Sequence, residues 1–277
     1  MPQAYFRRLA AQTEQELNLA EAALVLASSE YQQLDIERYL GLLDQYASEV
    51  TATLPKSDAP AAVLDHIRQY LFDAHGFAGN ENSFYDPRNS FLNDVLDRKL
   101  GIPITLSVVY LEVAWRLGVP LRGVSLPGRF MVGLFDADEP IILDPFDGGK
   151  KLGAVEVQDK LEQMFGALTV SSKQLHDMLV PSTKKEILVR MLRNLKSIYL
   201  ANQNFDAALG AIERMLMLQP DEPVEVRDRG LVFYYLNRHE FARADWQRYL
   251  QLAPESADKA EVEKWLDRLK SDLGSSN

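Results

Sequence analysis

Apolar residues recur at helical spacing from Glu14 to Val50, at Leu24, Leu26, Tyr31, Leu34, Ile36, Leu40, Leu43 and Tyr46, with an interruption at Ser28 and Ser29. The pattern predicts two helices. The stretch TLPKSDAP (53–60) has linker composition, and AAVLDHIRQYLFDAHGF (61–77) predicts a further helix ending at Gly76, with His75 placed to complement the helix dipole. Phe91, Leu92, Val95, Leu96 and Leu100 form the next apolar face, with Asn89 or Ser90 as cap and Gly101 as closure. Another helix follows at once. Pro103 suits its first turn, Thr105 or Ser107 can cap or line that turn, and Leu106, Val109, Tyr110, Val113 and Leu117 carry it to Gly118.

Beyond Gly118 the period changes from helical to extended. LRGVSL (121–126), RFMVGLF (129–135) and PIILDPF (140–146) read as strands, with DADEP (136–140) as the turn between the last two. A turn centred near Ala137 or Asp138 sets Arg129 and Asp144 about opposite one another. A slip of one residue sends one of them to the other face.

The C-terminal stretch repeats itself. Ala208 and Ala242, Leu216 and Leu250, Leu218 and Leu252, and Pro220 and Pro254 are each 34 residues apart, as are Tyr199 and Phe233 and also Lys196 and Gly230. That spacing is the tetratricopeptide period. DKAEVEKWLDRLKSDL (258–273) reads as a capping helix that lays Trp265, Leu266 and Leu269 on the last repeat. His239 takes the place of Phe205 in the alignment, a packing position. Together the patterns predict an α+β domain over 1–181 and an all-α repeat module over 182–277 with two repeats and a cap.

Composition then removes whole classes of chemistry. The chain has 277 residues and no cysteine, so disulfides, thiolate metal sites and thiol nucleophiles are excluded. Its four histidines, His66, His75, His176 and His239, are too scattered for a local metal motif. His66 and His176 read as packed or half-exposed helix residues, and neither a metal nor a cofactor is expected. The net charge of -10 falls entirely in residues 1–181, with 15 Lys and Arg against 25 Asp and Glu. Such a surface repels phosphate backbones, so nucleic acid is not the expected partner. No apolar run approaches the roughly 18 residues of a membrane span, and no leader pattern opens the chain, which predicts a cytoplasmic protein without a membrane partner.

A helix N-terminus at a cleft, followed by antiparallel strands bearing a basic and an acidic residue, is the order a cysteine hydrolase needs. NSFLNDVLDRKLGIPITLSVVYLEVAWRLGVPLRGVSLPGRF, then ILDPFDGG and EVRDRGLVFYYL, resemble the bacterial SirB family across nearly the whole chain. The resemblance implies a papain-like transglutaminase core joined to tetratricopeptide repeats. The family name reflects a proposed role in up-regulating invasion genes.

The resemblance also places a triad, and this chain departs from it. The cysteine position falls near Pro103, with Thr105 the nearest hydroxyl, and the histidine of PGHF is Arg129 here; Asp144 alone remains. Arginine stays protonated and cannot act as a general base. The reading that follows is a non-catalytic adaptor that binds a protein or peptide through the repeat groove or the cleft. Two alternatives remain: a hydrolase or acyltransferase with a hydroxyl nucleophile at Thr105 or Ser107, and a sensor of small anions at Arg129. Asn89, Ser107, Arg129, Arg227, Asp228 and Arg229 are the candidate binding residues. For RDRG (227–230) the plainer reading is a set of ion pairs within the repeats rather than a carboxylate fork.

Overall fold

The computed structural model describes residues 2–54, 59–126, 128–135, 140–165 and 179–274. Contacts divide the chain into two compact units, Met1–Met191 and Leu192–Asn277.

The first unit is assembled around helix α6, Pro103–Arg116, whose residues are buried without a break from Pro103 to Ala114. Its sequence explains this, since ITLSVVYLEVA carries a single charge and leaves no wet face. Earlier helices are α1 (Pro2–Ala10), α2 (Leu19–Ala27), α3 (Ile36–Thr53), α4 (Pro60–Arg68) and α5 (Leu92–Arg98). The last turns of α4 widen into a π-helix over Gln69–Ala74, which ends with the His75 amide on the Tyr70 carbonyl and Gly76 at positive φ. Strands β1 (Ala78–Gly79) and β2 (Leu100–Gly101) form a short parallel pair. A five-stranded antiparallel sheet covers α6, built from β3 (Arg122–Leu126), β4 (Arg129–Leu134), β5 (Ile141–Asp144), β6 (Lys150–Leu152) and β7 (Pro181–Ser182) in the order β6-β5-β4-β3-β7. Helix α7 (Ala154–Phe165) follows β6, its first turn held by Glu156 accepting from the Gly153 amide.

Because α6 is enclosed, each of its polar side chains must find a protein partner. Thr105 donates to the Asn89 carbonyl at 2.7 Å, Ser107 to Phe130 on β4 at 3.3 Å, and Tyr110 to Leu64 on α4. Glu112 accepts the Ala20 amide of α2 at 2.9 Å and pairs with Arg116, which reaches Asp44 on α3.

Three sequence expectations change. Neither Asn89 nor Ser90 caps α5: Phe91 holds the cap position, and Asn89 ends a 3-10 turn over Pro87–Asn89. The Asn89 amide is drawn instead to the Ser83 and Phe84 carbonyls, at 2.7 and 3.2 Å, which pin the preceding loop. The α5 helix closes at Lys99 in the left-handed conformation, not at Gly101, which lies in β2. Helix α1 has no counterpart in the apolar pattern because, among its described side chains, only Phe6, Leu9 and Ala10 are buried. His176 and the turn residues 136–139 lie outside the described residues.

Helix α8 (Lys184–Ala201) spans the boundary between the units. Its start is a reciprocal capping box of Thr183 and Glu186. The second unit continues with α9 (Phe205–Leu218), α10 (Pro223–Tyr235), α11 (His239–Leu252) and α12 (Lys259–Gly274). The 34-residue repeat extends to the backbone: Gln203 and Asn237 occupy equivalent turns at φ 56° and 57°. Val262 and Leu269 of α12 are buried, and Trp265 lies 5.4 Å from the fully buried Trp246. Half-buried Trp265 and Leu266 complete the capping face.

Two measurements test this packing. A Cβ on Gly230 would lie 2.6 Å from the Trp246 ring, so Gly230→Ala should destabilise the repeats by about 1–3 kcal/mol, read as a lower urea midpoint. Burial raises the Glu112 carboxyl above its usual value of 4.5 by more than Arg116 lowers it. The folded chain therefore binds this proton more readily than the unfolded one, and its contribution to stability grows as pH falls through that raised value towards 4.5. The stability of the wild type relative to Glu112→Gln should rise over the same window in paired urea titrations.

Candidate functional site

Strands β4 and β5 pair Val132 with Leu143, Gly133 with Ile142 and Leu134 with Ile141. This register differs by two residues from one that faces Arg129 to Asp144. A shift of two preserves the face of every side chain, so the two become diagonal neighbours on the same side of the sheet, within reach of a long side chain. Arg129 donates from Nε at 3.0 Å and Nη2 at 2.8 Å to a single oxygen, Oδ2 of Asp144. The diagonal offset gives this one-oxygen contact instead of two parallel bonds.

Asp144 is wholly buried and its other oxygen is also used. Oδ1 accepts from the Phe146 amide at 3.1 Å and the Asp147 amide at 3.4 Å, capping a 3-10 turn over Pro145–Asp147. Lys160 of α7 brings a second cation to Oδ2 at 3.2 Å and also reaches Asp147 at 3.1 Å. The Arg129 guanidinium lies over the Phe146 ring, 4.9 Å from its centre. Phe146 in turn sits against β1, where a Cβ on Gly79 would come within 2.7 Å of it. Two cations and two carboxylates thus make a neutral cluster with one buried member.

The other predicted positions belong to the start of α6. Pro103 is its first residue and is buried. The Thr105 hydroxyl accepts the Ile102 amide at 3.1 Å while donating to Asn89, which makes it a helix cap. Thr105 and Ser107 are both fully buried and hydrogen-bonded. Gly101, paired with Gly79 across β1 and β2, lies against Thr105, so the helix start and the Asp144 cluster meet through the two glycines and Phe146. His75 is turned to Glu49, 3.9 Å away, and packs on Tyr70 with the two rings tilted by 38°. Sequence reasoning missed Lys160, which no local motif marks. It also missed the capping role of Asp144, although Asp-Pro before a turn signals it.

In the second unit, Arg227 donates twice to Asp228 Oδ1, at 3.0 and 2.7 Å, and pairs with Asp258. Arg229 forms a two-pronged pair with Asp245 at 2.6 and 2.7 Å. Lys196 bridges Glu225 and Asp228, each at 2.8 Å, and Arg193 meets Glu225 at 2.9 Å. These pairs join α8, α10 and α11 and engage all three RDRG charges within the repeats. Lys196 is the counterpart of Gly230 in the repeat alignment. One repeat fills that position with a buried cation, and the other leaves it to Trp246.

The sequence profile of the transglutaminase-like superfamily matches residues 37–193, and that of the tetratricopeptide repeat matches 195–267. A UPF0162 protein of Xylella fastidiosa is 39% identical over 246 residues, covering 89% of this chain and 88% of its own. A UPF0162 protein of Vibrio cholerae is 29% identical over 240 residues, with 86% and 87% covered. F-box only protein 21 of Mus musculus is 30% identical over 190 residues, which are 63% of this chain and 28% of that protein. No solved structure matches significantly. With more than half its length in the transglutaminase-like profile and the Xylella fastidiosa UPF0162 protein aligned over nearly nine-tenths of both chains, the chain belongs to the UPF0162 family, a transglutaminase-like domain followed by tetratricopeptide repeats.

Proposed function

We propose that the chain is a non-catalytic adaptor that binds a protein or peptide partner, with the repeats as the primary binding surface. The observation that carries this reading is the state of Asp144. Where a triad would hold an imidazole, Asp144 holds the permanently charged Arg129 together with Lys160, in a chain without cysteine. Tetratricopeptide repeats generally mediate contact between proteins, which supports the partner class.

Both alternatives lose support from the geometry. A hydroxyl nucleophile needs an accessible oxygen beside a base, and Thr105 and Ser107 are fully buried with their hydroxyls engaged. An anion sensor needs uncompensated positive charge, and both cations at the cluster are already shared with carboxylates. A cytoplasmic location fits a chain in which no described helix is long and apolar enough to cross a membrane. A regulatory role of the invasion-gene kind rests on the SirB resemblance alone.

The adaptor reading is tested by affinity capture from the cell of origin. The full chain should retain a partner that a bait ending at residue 191 loses; an undiminished partner set would move the binding site to residues 1–191. The purified chain should show no transamidase or peptidase turnover, and turnover abolished by Asp144→Ala would overturn the reading. Within the cluster, Arg129→Ala should cost about 1–2 kcal/mol, less than an unshared buried pair, because Lys160 and two amides stay on Asp144. Removing Arg129 and Lys160 together should cost more than the sum of the single losses in a double-mutant cycle.

A further inference from the structure

Lys99 occupies an unusual place. It ends α5 at φ 61°, a left-handed conformation that glycine or asparagine fills more readily. Its amide is bonded to the Val95 carbonyl and its own carbonyl accepts the Ala78 amide, so the backbone is held from both sides. The side chain runs back between two aromatic faces, with Nζ 4.8 Å from the centre of Tyr46 and 4.6 Å from that of Phe77. Nζ donates to the Tyr46 hydroxyl, and among the described residues no carboxylate lies within ion-pair distance of it. Lys150, Lys151, Lys160 and Lys196 each have such a partner. Lys99 nonetheless keeps part of its surface in solvent.

We propose that Lys99 is an acylation site, its ε-amine reacting with small activated acyl donors such as acyl phosphates or acyl thioesters. The neutral amine adds to the carbonyl carbon and forms the C–N bond. The C–O or C–S bond to phosphate or thiolate breaks, the leaving group departs with the electron pair, and the amine proton passes to water. The product is an uncharged amide, whose acyl group adds apolar contact with the two rings while the ammonium's attraction to their faces is given up. Acylation also ends the ammonium's tie to Tyr46, which joins the close of α5 to α3.

The surrounding groups fix the protonation of this amine. Burial lowers its pKa, and Asp97 on α5 opposes that from a distance. Tyr46 on α3 stays a neutral phenol, pushed up to about 12 by burial first and then by Glu49 and Asp97. Tyr70 of the π-helix and His75 just after it pack on the Tyr46 ring, and Glu49 takes the Tyr70 hydroxyl. Burial outweighs Asp97 and the two ring faces, so the free-amine fraction at neutral pH exceeds that of an exposed lysine.

The test uses the full chain under limiting acetylation, in one arm with acetyl phosphate and in the other with an acetyl thioester. Peptide mass spectrometry reads the rate at Lys99 against Lys264, exposed on α12. At pH 7 the ratio should be severalfold above one, should fall as pH rises into the lysine range, and should return to about one in urea. The two arms tell which leaving group the site accepts. A ratio at or below one in both arms at pH 7, or an excess that persists in urea, overturns the proposal.

Discussion

The first unit depends on enclosing a helix that has no wet face. With α6 buried from Pro103 to Ala114, water cannot satisfy any polar group on it, and one left unmet costs about 1–3 kcal/mol. The four polar side chains answer this by reaching four different neighbours: the turn before α5, strand β4, helix α4 and helix α2. Packing against apolar surface alone leaves a helix free to slide or turn. These bonds fix its rotation and height, and with them the place where its first turn meets the sheet.

That constraint accounts for the surroundings of Thr105, Ser107 and Asp144. Thr105 and Ser107 are structural groups because the enclosed helix needs them as such. Asp144 caps its own turn and neutralises Arg129 and Lys160, so it would remain necessary to the fold even with no histidine to orient. A carboxylate with two such duties is fixed by the fold around it.

Much of this was legible in the sequence, wherever the signal is local or periodic. The helix of VVYLEVA, the three strands and the 34-residue repeat follow from hydrophobic period, and the face shared by Arg129 and Asp144 follows from parity along the strands. The register itself depends on how many residues the connection consumes, and composition left it two residues out. Lys160, Asp245 and Asp258 could not be found because their partners are brought near only by tertiary folding. The caps of α5 failed for a related reason: Asn89 is a good cap by type, but a loop offers it two carbonyls and the buried Thr105 takes its own.

The bond between Glu112 and the Ala20 amide spans 92 residues of sequence. On a ribosome, α2 therefore emerges long before the side chain that completes its N-terminal turn exists. Asn18 can cap the Glu21 amide alone, so the helix can start locally, but the Ala20 amide has no such partner until α6 is made. The first turn of α2 is thus complete only once the chain has been made past Glu112.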